Sequence, residues 1–353
     1  MKQSNEYRNE MEKLHYTQQQ QAELVRRLQS EAAQADSNQR RHPVKYWRTA
    51  LVAAAMAAVL AVTVSATGVL RDAADVFADV FHLTPEQTEI VDRIGRPVNA
   101  SDTQNGLTIT ADAILGDKNN VCLVYSLHWE DGMIPEMPKQ SNGKYRLGFG
   151  SAYTDLGTKG GGHSSSYFQI SPSEEGTIQY IEMSSADDTI NLNHGKAEGC
   201  FEDLYAYDEN GDPVLLVEGS WKVRFDLNYE DSSVQLGGGQ TFQMDGIDYT
   251  LDRVQISPVA YRVEYTADVS LIGGAIDDEE KAAQRLEQLD QMLNVPIQLT
   301  KTDGTVVDLN QSGGNIRPVG KQAQCSRSTL FETVLPLEEI ESITVGDVEI
   351  PLH

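Results

Sequence analysis

The sequence is poor in basic residues and in cysteine. Its 353 residues include 28 Lys and Arg against 53 Asp and Glu, so the formal net charge is −25. Such a surface repels phosphate groups, which excludes nucleic acid as a partner. The three cysteines, Cys122, Cys200 and Cys325, lack the spacing of a metal site, and neither a metal nor another cofactor is predicted.

Catalytic motifs are lacking as well. No G-x-S-x-G segment occurs, and GGGHSSS brings His163 next to the serines at 164–166 only along the chain, which orients no base towards a nucleophile. We interpret this segment as a flexible Gly/Ser loop. The sequence therefore predicts that the protein is not an enzyme, with no catalytic residues.

The segment DENGDPVLLVEG raises the question of a calcium site. Asp208, Asn210 and Asp212 have the spacing of the first EF-hand ligands. An EF-hand loop also needs glycine at its sixth position and glutamate at its twelfth, where this sequence has Pro213 and Gly219. A tight hairpin turn at the Asn-Gly pair is favoured instead.

Residues 49–70 form a run of 22 residues without charge. A helix of this length, at about 1.5 Å per residue, crosses the roughly 30 Å hydrocarbon core of a bilayer. A cleaved signal peptide would follow a short basic region, whereas 48 mostly polar residues come first here, although Val64-Ser65-Ala66 resembles a cleavage site. A permanent anchor is favoured over a cleaved signal and over a buried core helix.

Basic residues give this predicted anchor a direction. Four of them lie between positions 40 and 48, whereas Arg71 on the other side is followed by several aspartates. The positive-inside rule then places residues 1–48 in the cytoplasm and the C-terminal domains outside the cell. Residues 71–353 hold 19 Lys and Arg and 47 Asp and Glu, so the predicted exterior carries nearly all of the negative charge.

The predicted cytoplasmic segment, 1–48, contains two short helical patterns with apolar stripes. It is too small to bury a core of its own. The segment either stays partly disordered or lays its stripes on a cytoplasmic partner. The residues that such a partner would contact are Tyr7, Met11, Leu14, Leu24, Val25 and Leu28.

Helical patterns follow the anchor, and strand patterns follow the helices. Val76, Phe77 and Phe81 share one helical face, and Thr84 has the position of an N-cap before a second helix that ends at Gly95. From residue 98 onward, alternating and β-branched runs are cut by Gly, Asn, Asp and Pro.

We predict a mainly β protein with one transmembrane helix, two extracellular β-sandwich-like domains and short cytoplasmic helices. The predicted domains are a cytoplasmic helical segment (1–48), a transmembrane helix (49–70), juxtamembrane helices with a first β domain (71–233), and a second β domain with one charged helix (234–353).

Two features leave alternatives open. Cys122 lies in an apolar strand pattern as a buried thiol, or it is bridged to Cys200 in the predicted oxidising exterior. The aromatic residues of the strands either pack in a sandwich core, which the alternation in WKVRFDLNY favours, or form a ligand face. These aromatic residues are Tyr125, Trp129, Tyr205, Tyr207, Trp221, Phe225 and Tyr229.

Several ordered segments carry a family resemblance. They are the anchor, an amphipathic helix, LTPEQTEIVDRIGRPVNASDTQNGLTITADAILGDKNNVCLVYSL, GSWKVRFDLNYEDSSVQL and GQTFQMDGIDYTLDRVQISPVAYRVEYTAD. In this order the chain resembles single-pass membrane proteins of Gram-positive bacteria whose ectodomain is a domain of unknown function, often encoded beside extracytoplasmic-function sigma factors. The resemblance implies a membrane-bound, anti-sigma-like regulator whose inner segment acts on a sigma factor and whose second outer domain is immunoglobulin-like.

Two functions are consistent with these observations. In the first, outer β domains sense or bind something, and the inner helices hold a sigma factor at the membrane. In the second, the protein is a non-catalytic surface-binding or envelope-associated protein without a sigma-factor partner, and its inner tail only sets the topology.

Overall fold

The computed structural model describes residues 71–352, apart from 141–144, 158–161, 187–190, 272–278 and 311. The first elements are α1 (Ala73–Phe81), α2 (Pro85–Ile94), β1 (Arg96–Gln104), β2 (Leu107–Gly116), β3 (Asn120–Trp129), β4 (Leu147–Asp155), β5 (Gly162–Ile170), β6 (Ile178–Ala186), β7 (Gly195–Tyr207) and β8 (Pro213–Leu227).

The remaining elements are β9 (Val234–Leu236), β10 (Thr241–Met244), β11 (Ile247–Ile256), β12 (Ala260–Ala267), α3 (Glu279–Leu293), β13 (Ile297–Lys301), β14 (Val306–Asp308), β15 (Gly313–Val319), β16 (Gln322–Leu330), a short 3₁₀ turn (Leu337–Glu339), β17 (Ile340–Val345) and β18 (Val348–Pro351).

Helices α1 and α2 form where the sequence predicts them. Thr84 and Gln87 make a reciprocal capping box, in which the Gln87 Oε1 atom accepts from the Thr84 backbone N–H at 2.8 Å. Pro85 occupies the first turn, where its missing N–H costs nothing. α1 ends at His82, whose left-handed conformation (φ 51°) lets the chain turn towards α2.

Residues 96–229 form a β-sandwich, here called the first sandwich. A five-stranded sheet in the order β1-β2-β3-β6-β5 faces a three-stranded sheet in the order β4-β7-β8, and all paired strands are antiparallel. Tyr125 of the first sheet and Phe201 of the second meet edge-to-face with centroids 5.0 Å apart. The Trp221 indole is fully buried between the sheets and donates to the Leu107 carbonyl at 3.0 Å.

Alternation along β8 builds this core. Trp221, Val223 and Phe225 point inward, while the residues between them are exposed. This confirms the interpretation of WKVRFDLNY as a core strand. Tyr125 and Tyr229 are also buried, whereas the other three aromatic residues with an open assignment, Trp129, Tyr205 and Tyr207, are only partly buried.

Residues 234–352, here called the second β region, contain two further sheets. One has the order β10-β11-β12-β16-β15, with β9 paired to β11, and the other has the order β14-β13-β17-β18. They enclose a second apolar core to which α3 contributes Met292. Tyr261 and Tyr265 lie in this core and donate their hydroxyls to the carbonyls of Leu309 and Met292, both at 2.6 Å.

The mainly β prediction is confirmed, and the charged helix predicted after the strands is α3. Asp245 and Gly246 turn the β10–β11 hairpin with positive φ angles, as their sequence indicates. The domain boundary at 233/234 stays a prediction. No helix among the described residues is long and apolar enough to cross a membrane, and the predicted span 49–70 and the predicted helices of 1–48 lie outside those residues.

One expectation is wrong. The segment around His163, predicted to be a flexible loop, is strand β5, because residues 162–170 pair along their whole length with β6. The sheet neighbour supplies the hydrogen bonds that a Gly/Ser-rich segment cannot organise by its own propensity. His163 itself contacts the second β region through its Nε2 atom, 3.0 Å from the Ser328 carbonyl oxygen.

A buried carboxylate at the β2–β3 turn joins the first sandwich to the second β region. The Asp117 side chain accepts from the backbone N–H groups of Asn119 and Asn120 at 2.8 and 2.9 Å, and from the Asn120 amide at 3.0 Å. Its other oxygen accepts from the Ser257 hydroxyl at 2.8 Å. Burial raises the pKa of Asp117, and these bonds act in the opposite direction.

We predict that Asp117→Ala lowers the free energy of unfolding of the full-length protein by about 3 kcal/mol, because several buried donors lose their acceptor at about 1 kcal/mol or more each. Urea unfolding in detergent measures the loss. Asp303→Ala is the control, since Asp303 accepts from the Thr305 N–H in an exposed turn, and it should cost well under 1 kcal/mol. Equal losses in the two variants would contradict the role of Asp117.

Candidate functional site

The first described residue, Arg71, lies directly after the predicted span and contacts two parts of the structure, α1 and the β5–β6 turn. Its Nη2 atom donates to the Asp75 carbonyl at 2.8 Å and to the Ser173 hydroxyl at 3.0 Å, and it lies 3.4 Å from the Asp79 carboxylate. Its Nη1 atom lies 3.7 Å from the Glu174 carboxylate. The guanidinium therefore links α1 to the β5–β6 turn of the first sandwich.

Asp79 is the main acceptor in this group, which we call the Arg71 network (Arg71, Asp79, His128, Ser171, Ser173, Glu174 and Gln179). Its carboxylate is buried under α1 and accepts from the hydroxyls of Ser173 and Ser171 at 2.6 and 3.1 Å and from the Gln179 amide at 3.4 Å. An acidic side chain on the buried side of a helix needs such partners, because an unpaired buried carboxylate is strongly destabilising.

His128 extends the network along β3. Its Nε2 atom lies 3.2 Å from the Glu174 carboxylate and 3.2 Å from the Thr177 hydroxyl. The hydrogen bond to Glu174 raises the pKa of His128, and the same bond lowers the pKa of Glu174. Glu174 thus lies between Arg71 and His128.

Asp112 is a second carboxylate on the same face of the sheet. Its side chain accepts from the Ser126 hydroxyl. Burial raises the pKa of Asp112 to about 7, although the Ser126 bond and the positive charge of Arg71 act in the opposite direction. The face below α1 therefore holds two groups, Asp112 and His128, whose pKa values are raised.

The rest of this sheet face is apolar and is covered by the two helices. Val76, Phe77 and Phe81 of α1 and Val91 of α2 are buried against it, and the Phe77 and Phe81 rings stack with centroids 5.9 Å apart. The sheet contributes Ala113, Leu115, Cys122, Val124 and Ile181, and the second β region adds Val259, Ala260, Leu330 and Val334 to the same cluster.

The side chains of three further residues make polar contacts that hold the second β region to these elements, in addition to the Asp117–Ser257 bond. The Gln87 amide of α2 donates to the Val334 carbonyl at 2.6 Å. Arg262 of β12 donates to the Ala186 carbonyl of β6 at 2.7 Å. His163 of β5 meets the Ser328 carbonyl. The second β region therefore contacts α2 and also β5 and β6 of the first sandwich, and the apolar cluster under both helices includes residues of both regions.

The predicted partner-binding residues, Tyr7, Met11, Leu14, Leu24, Val25 and Leu28, lie outside the described residues. The turn interpretation of DENGDP is confirmed, since the Asp208 carboxylate accepts from the backbone N–H groups of Asn210 and Asp212, both at 2.9 Å. In the parts of the chain that the structure describes, no group of three His, Cys, Asp or Glu side chains could hold a metal ion.

The three cysteines are free thiols in the structure. Cys122 is fully buried, as its apolar strand predicts, and burial raises its pKa far above the ordinary range. Cys200 lies on β7 of the opposite sheet. The structure therefore contains the buried-thiol alternative for Cys122 and not the bridged one.

Sequence reasoning missed the Arg71 network. Arg71 precedes α1, and the other members come from α1, β3, the β5–β6 turn and β6. Arg71 and Glu174 are 103 positions apart in the sequence. One signal was present in Asp79, a carboxylate close to Phe77, Val80 and Phe81 in a predominantly apolar helical segment. An acidic residue in that position indicates a buried polar partner.

Residues 41–128 match a protein family described as "Domain of unknown function (DUF4179)". The match spans the predicted anchor, α1, α2, β1, β2 and nearly all of β3, about a quarter of the chain. The DUF4179 segment thus contains Arg71, Asp79, Asp112 and His128, whereas Glu174 and the serines that complete the network lie beyond it.

No curated protein matches the sequence. One solved structure, described as the crystal structure of the conserved domain protein from Bacillus anthracis, is similar over 70% of this chain and 75% of that chain, with 16% sequence identity and a TM-score of 0.43. This likeness is too low to support an argument about fold or function.

We predict that the protein is less stable at pH 8 than at pH 5.5. The raised pKa of Asp112 means that the unfolded state ionises this group from about pH 4 upward while the folded state resists ionisation until about pH 7, so stability falls across that range. His128 acts in the same direction, because its stabilising contribution is complete below about pH 6.5 and is lost as the pH rises through its raised folded-state value.

Asp112→Asn should remove the contribution of Asp112 to this dependence, about 1–2 kcal/mol after allowance for the partial exposure of the group. Thermal unfolding of the detergent-solubilised protein at both pH values measures the effect, with Asp131→Asn, at an exposed carboxylate, as control. If Asp112→Asn keeps the full fall in Tm between pH 5.5 and 8, burial of Asp112 is not its cause.

Proposed function

We propose that this protein is a membrane-anchored regulator of the anti-sigma type. The β-rich residues 71–353 lie outside the cell as a sensor or binding region, residues 49–70 cross the membrane, and the helical stripes of 1–48 hold an extracytoplasmic-function sigma factor. The second outer β domain is of the immunoglobulin-like type in this proposal. The protein itself is not catalytic.

The observation that supports this proposal best is the attachment of Arg71. This residue follows the predicted span at once, and it is bonded to α1 and to the β5–β6 turn. Position 70 is followed at once by the bonded Arg71, with no flexible linker between them. A displacement of the outer region would therefore move the end of the span directly. A surface protein whose anchor only sets topology has no need of such a junction.

Helices α1 and α2 would also connect the second β region to the predicted span. α2 is capped by Gln87, and the same Gln87 amide bonds the Val334 carbonyl of the second β region. Apolar residues from both β regions meet on the helices. A ligand that shifted the second β region relative to the first sandwich would therefore displace α1 and α2, which precede the sandwich and follow the span.

We predict that the full-length protein, purified in detergent from its own cells, carries a sigma factor that Leu24→Asp/Leu28→Asp releases, because the two carboxylates interrupt the apolar stripe. Mass spectrometry of the co-purified protein measures recovery, and a promoter dependent on that sigma factor should become at least about tenfold more active in cells with the variant. Gln19→Asp/Ser30→Asp places the same charges on the opposite helical face and is the matched control.

Recovery of no sigma factor, together with unchanged transcription when the gene is deleted, would contradict the regulatory proposal. That result would favour the second function, a surface-binding or envelope-associated protein. Equal loss of the sigma factor in both double variants would instead show that added charge, and not the apolar stripe, determines its release.

A further inference from the structure

Strand β8 lies at the edge of its sheet, and only part of that edge is covered. In the three-stranded sheet β8 pairs with β7 on one side. On the other side, side chains from the end of β1 and the β1–β2 turn occupy the edge of its C-terminal half: Asn105 donates to the Glu218 carbonyl at 2.7 Å, and Asp102 accepts from the Lys222 backbone N–H at 2.8 Å. These contacts cover the edge from Glu218 to Lys222.

The N-terminal part of β8, residues 213–217, has no such cover among the described residues. No strand or side chain of the described chain bonds its outer edge. Val214 and Leu215 are 43% and 49% exposed, and Leu216 packs partly on the core. Proteins usually protect such edges with lysines, prolines or covering loops, and here only Pro213 at the start of the strand does so.

The chain segment that contains this edge carries charge of one sign. Residues 202–218 contain no Lys or Arg, and their carboxylates are Glu202, Asp203, Asp208, Glu209, Asp212 and Glu218. Glu209, Asp212 and Glu218 are exposed beside the free edge. One cation, Arg146, lies near the β7–β8 hairpin. It directly precedes β4, and its guanidinium lies 5.1 Å from the centre of the Tyr207 ring.

We propose that the free edge of β8 at residues 213–217 binds an extended, basic peptide segment by strand addition. Five residues of edge, about 16 Å long, pair with a strand of four or five residues. Leu215 lies across from Tyr205 on the outer face, and Val214 lies on the opposite face, so the bound segment has apolar side chains at alternate positions. Its Lys or Arg residues face the three exposed carboxylates.

A second copy of this chain fits the edge less well. Pairing two β8 edges would bring Asp212 and Glu218 of one copy close to the same carboxylates of the other, and like charges across paired strands are destabilising. Charge complementarity therefore favours a basic partner over self-association. This inference does not rest on the regulatory proposal, because peptide binding is measured without a sigma factor.

The test uses fluorescein-labelled peptides and the full-length protein in detergent, with anisotropy as the readout. The probe is Gly-Lys-Val-Thr-Val-Lys-Val-Lys, and two controls replace all of its lysines by glutamate or its central valine by proline, which cannot continue a strand ladder. We expect the basic probe to bind at least tenfold more tightly than either control, with an affinity that falls as salt increases. Absence of binding, or equal binding of the proline peptide, would overturn the proposal.

Variants then locate the site. Val214→Lys and Leu215→Lys should each weaken binding of the basic probe at least tenfold, and both positions are exposed enough for lysine to leave the fold intact. Val319→Lys is the matched control, since Val319 is 50% exposed on β15, an edge strand of another sheet, and it should leave binding unchanged.

Two further readings complete the test. Asp212→Asn/Glu218→Gln should reduce both the affinity and its salt dependence. Circular dichroism and Tm must match those of the unsubstituted protein for every variant. Equal weakening by Val319→Lys would show that the binding site is not on β8. Concentration-dependent self-association that Val214→Lys abolishes would show that the edge binds a second copy of this chain and not a basic peptide.

Discussion

The arrangement of this protein depends on the packing of the apolar faces of α1 and α2 against the five-stranded sheet. The helices cover the outer face of the five-stranded sheet, and the second β region reaches the same cluster through Val259, Leu330 and Val334. Without the helices, that sheet face would expose Leu115, Val124 and Ile181 to water. The helices are therefore a structural layer of the described β-rich region, and they follow the predicted span directly in the sequence.

This layer has an apolar part and a polar part, and each has a consequence for the proposed regulation. The apolar part joins the two helices, the five-stranded sheet and the second β region. Apolar contacts are non-directional, so they hold these parts together but allow one to slide against another. The polar part, with Asp79 buried among hydroxyls and Arg71 bonded to Glu174 and Ser173, requires one geometry. In the proposed regulator, the polar part would make the start of α1 and the sheet move together, so that a displacement of either would reach the predicted span.

The local part of the fold was predictable from short segments. The capping box of Thr84 and Gln87, the Asn210-Gly211 and Asp245-Gly246 turns and the alternation that buries Trp221 and Phe225 depend on residues within a few positions of one another. The segment at His163 failed because its strand conformation comes from pairing with β6. Tyr205 and Tyr207 look like the core tyrosines in sequence, yet they lie on the partly exposed face of their sheet.

The sequence by itself determined the acidic composition of residues 71–353, the uncharged run at 49–70, helices α1 and α2 and the succession of strands, because composition, periodicity and turn residues act over short distances. Tertiary structure decided which carboxylates are buried and what they bond. Asp117 meets Ser257 across 140 positions, and Arg71 meets Glu174 across 103, and these distances close only when sheet order and helix packing bring the elements together. It also decided that the cover over β8 stops at Glu218, since the covering residues belong to β1 and the turn after it.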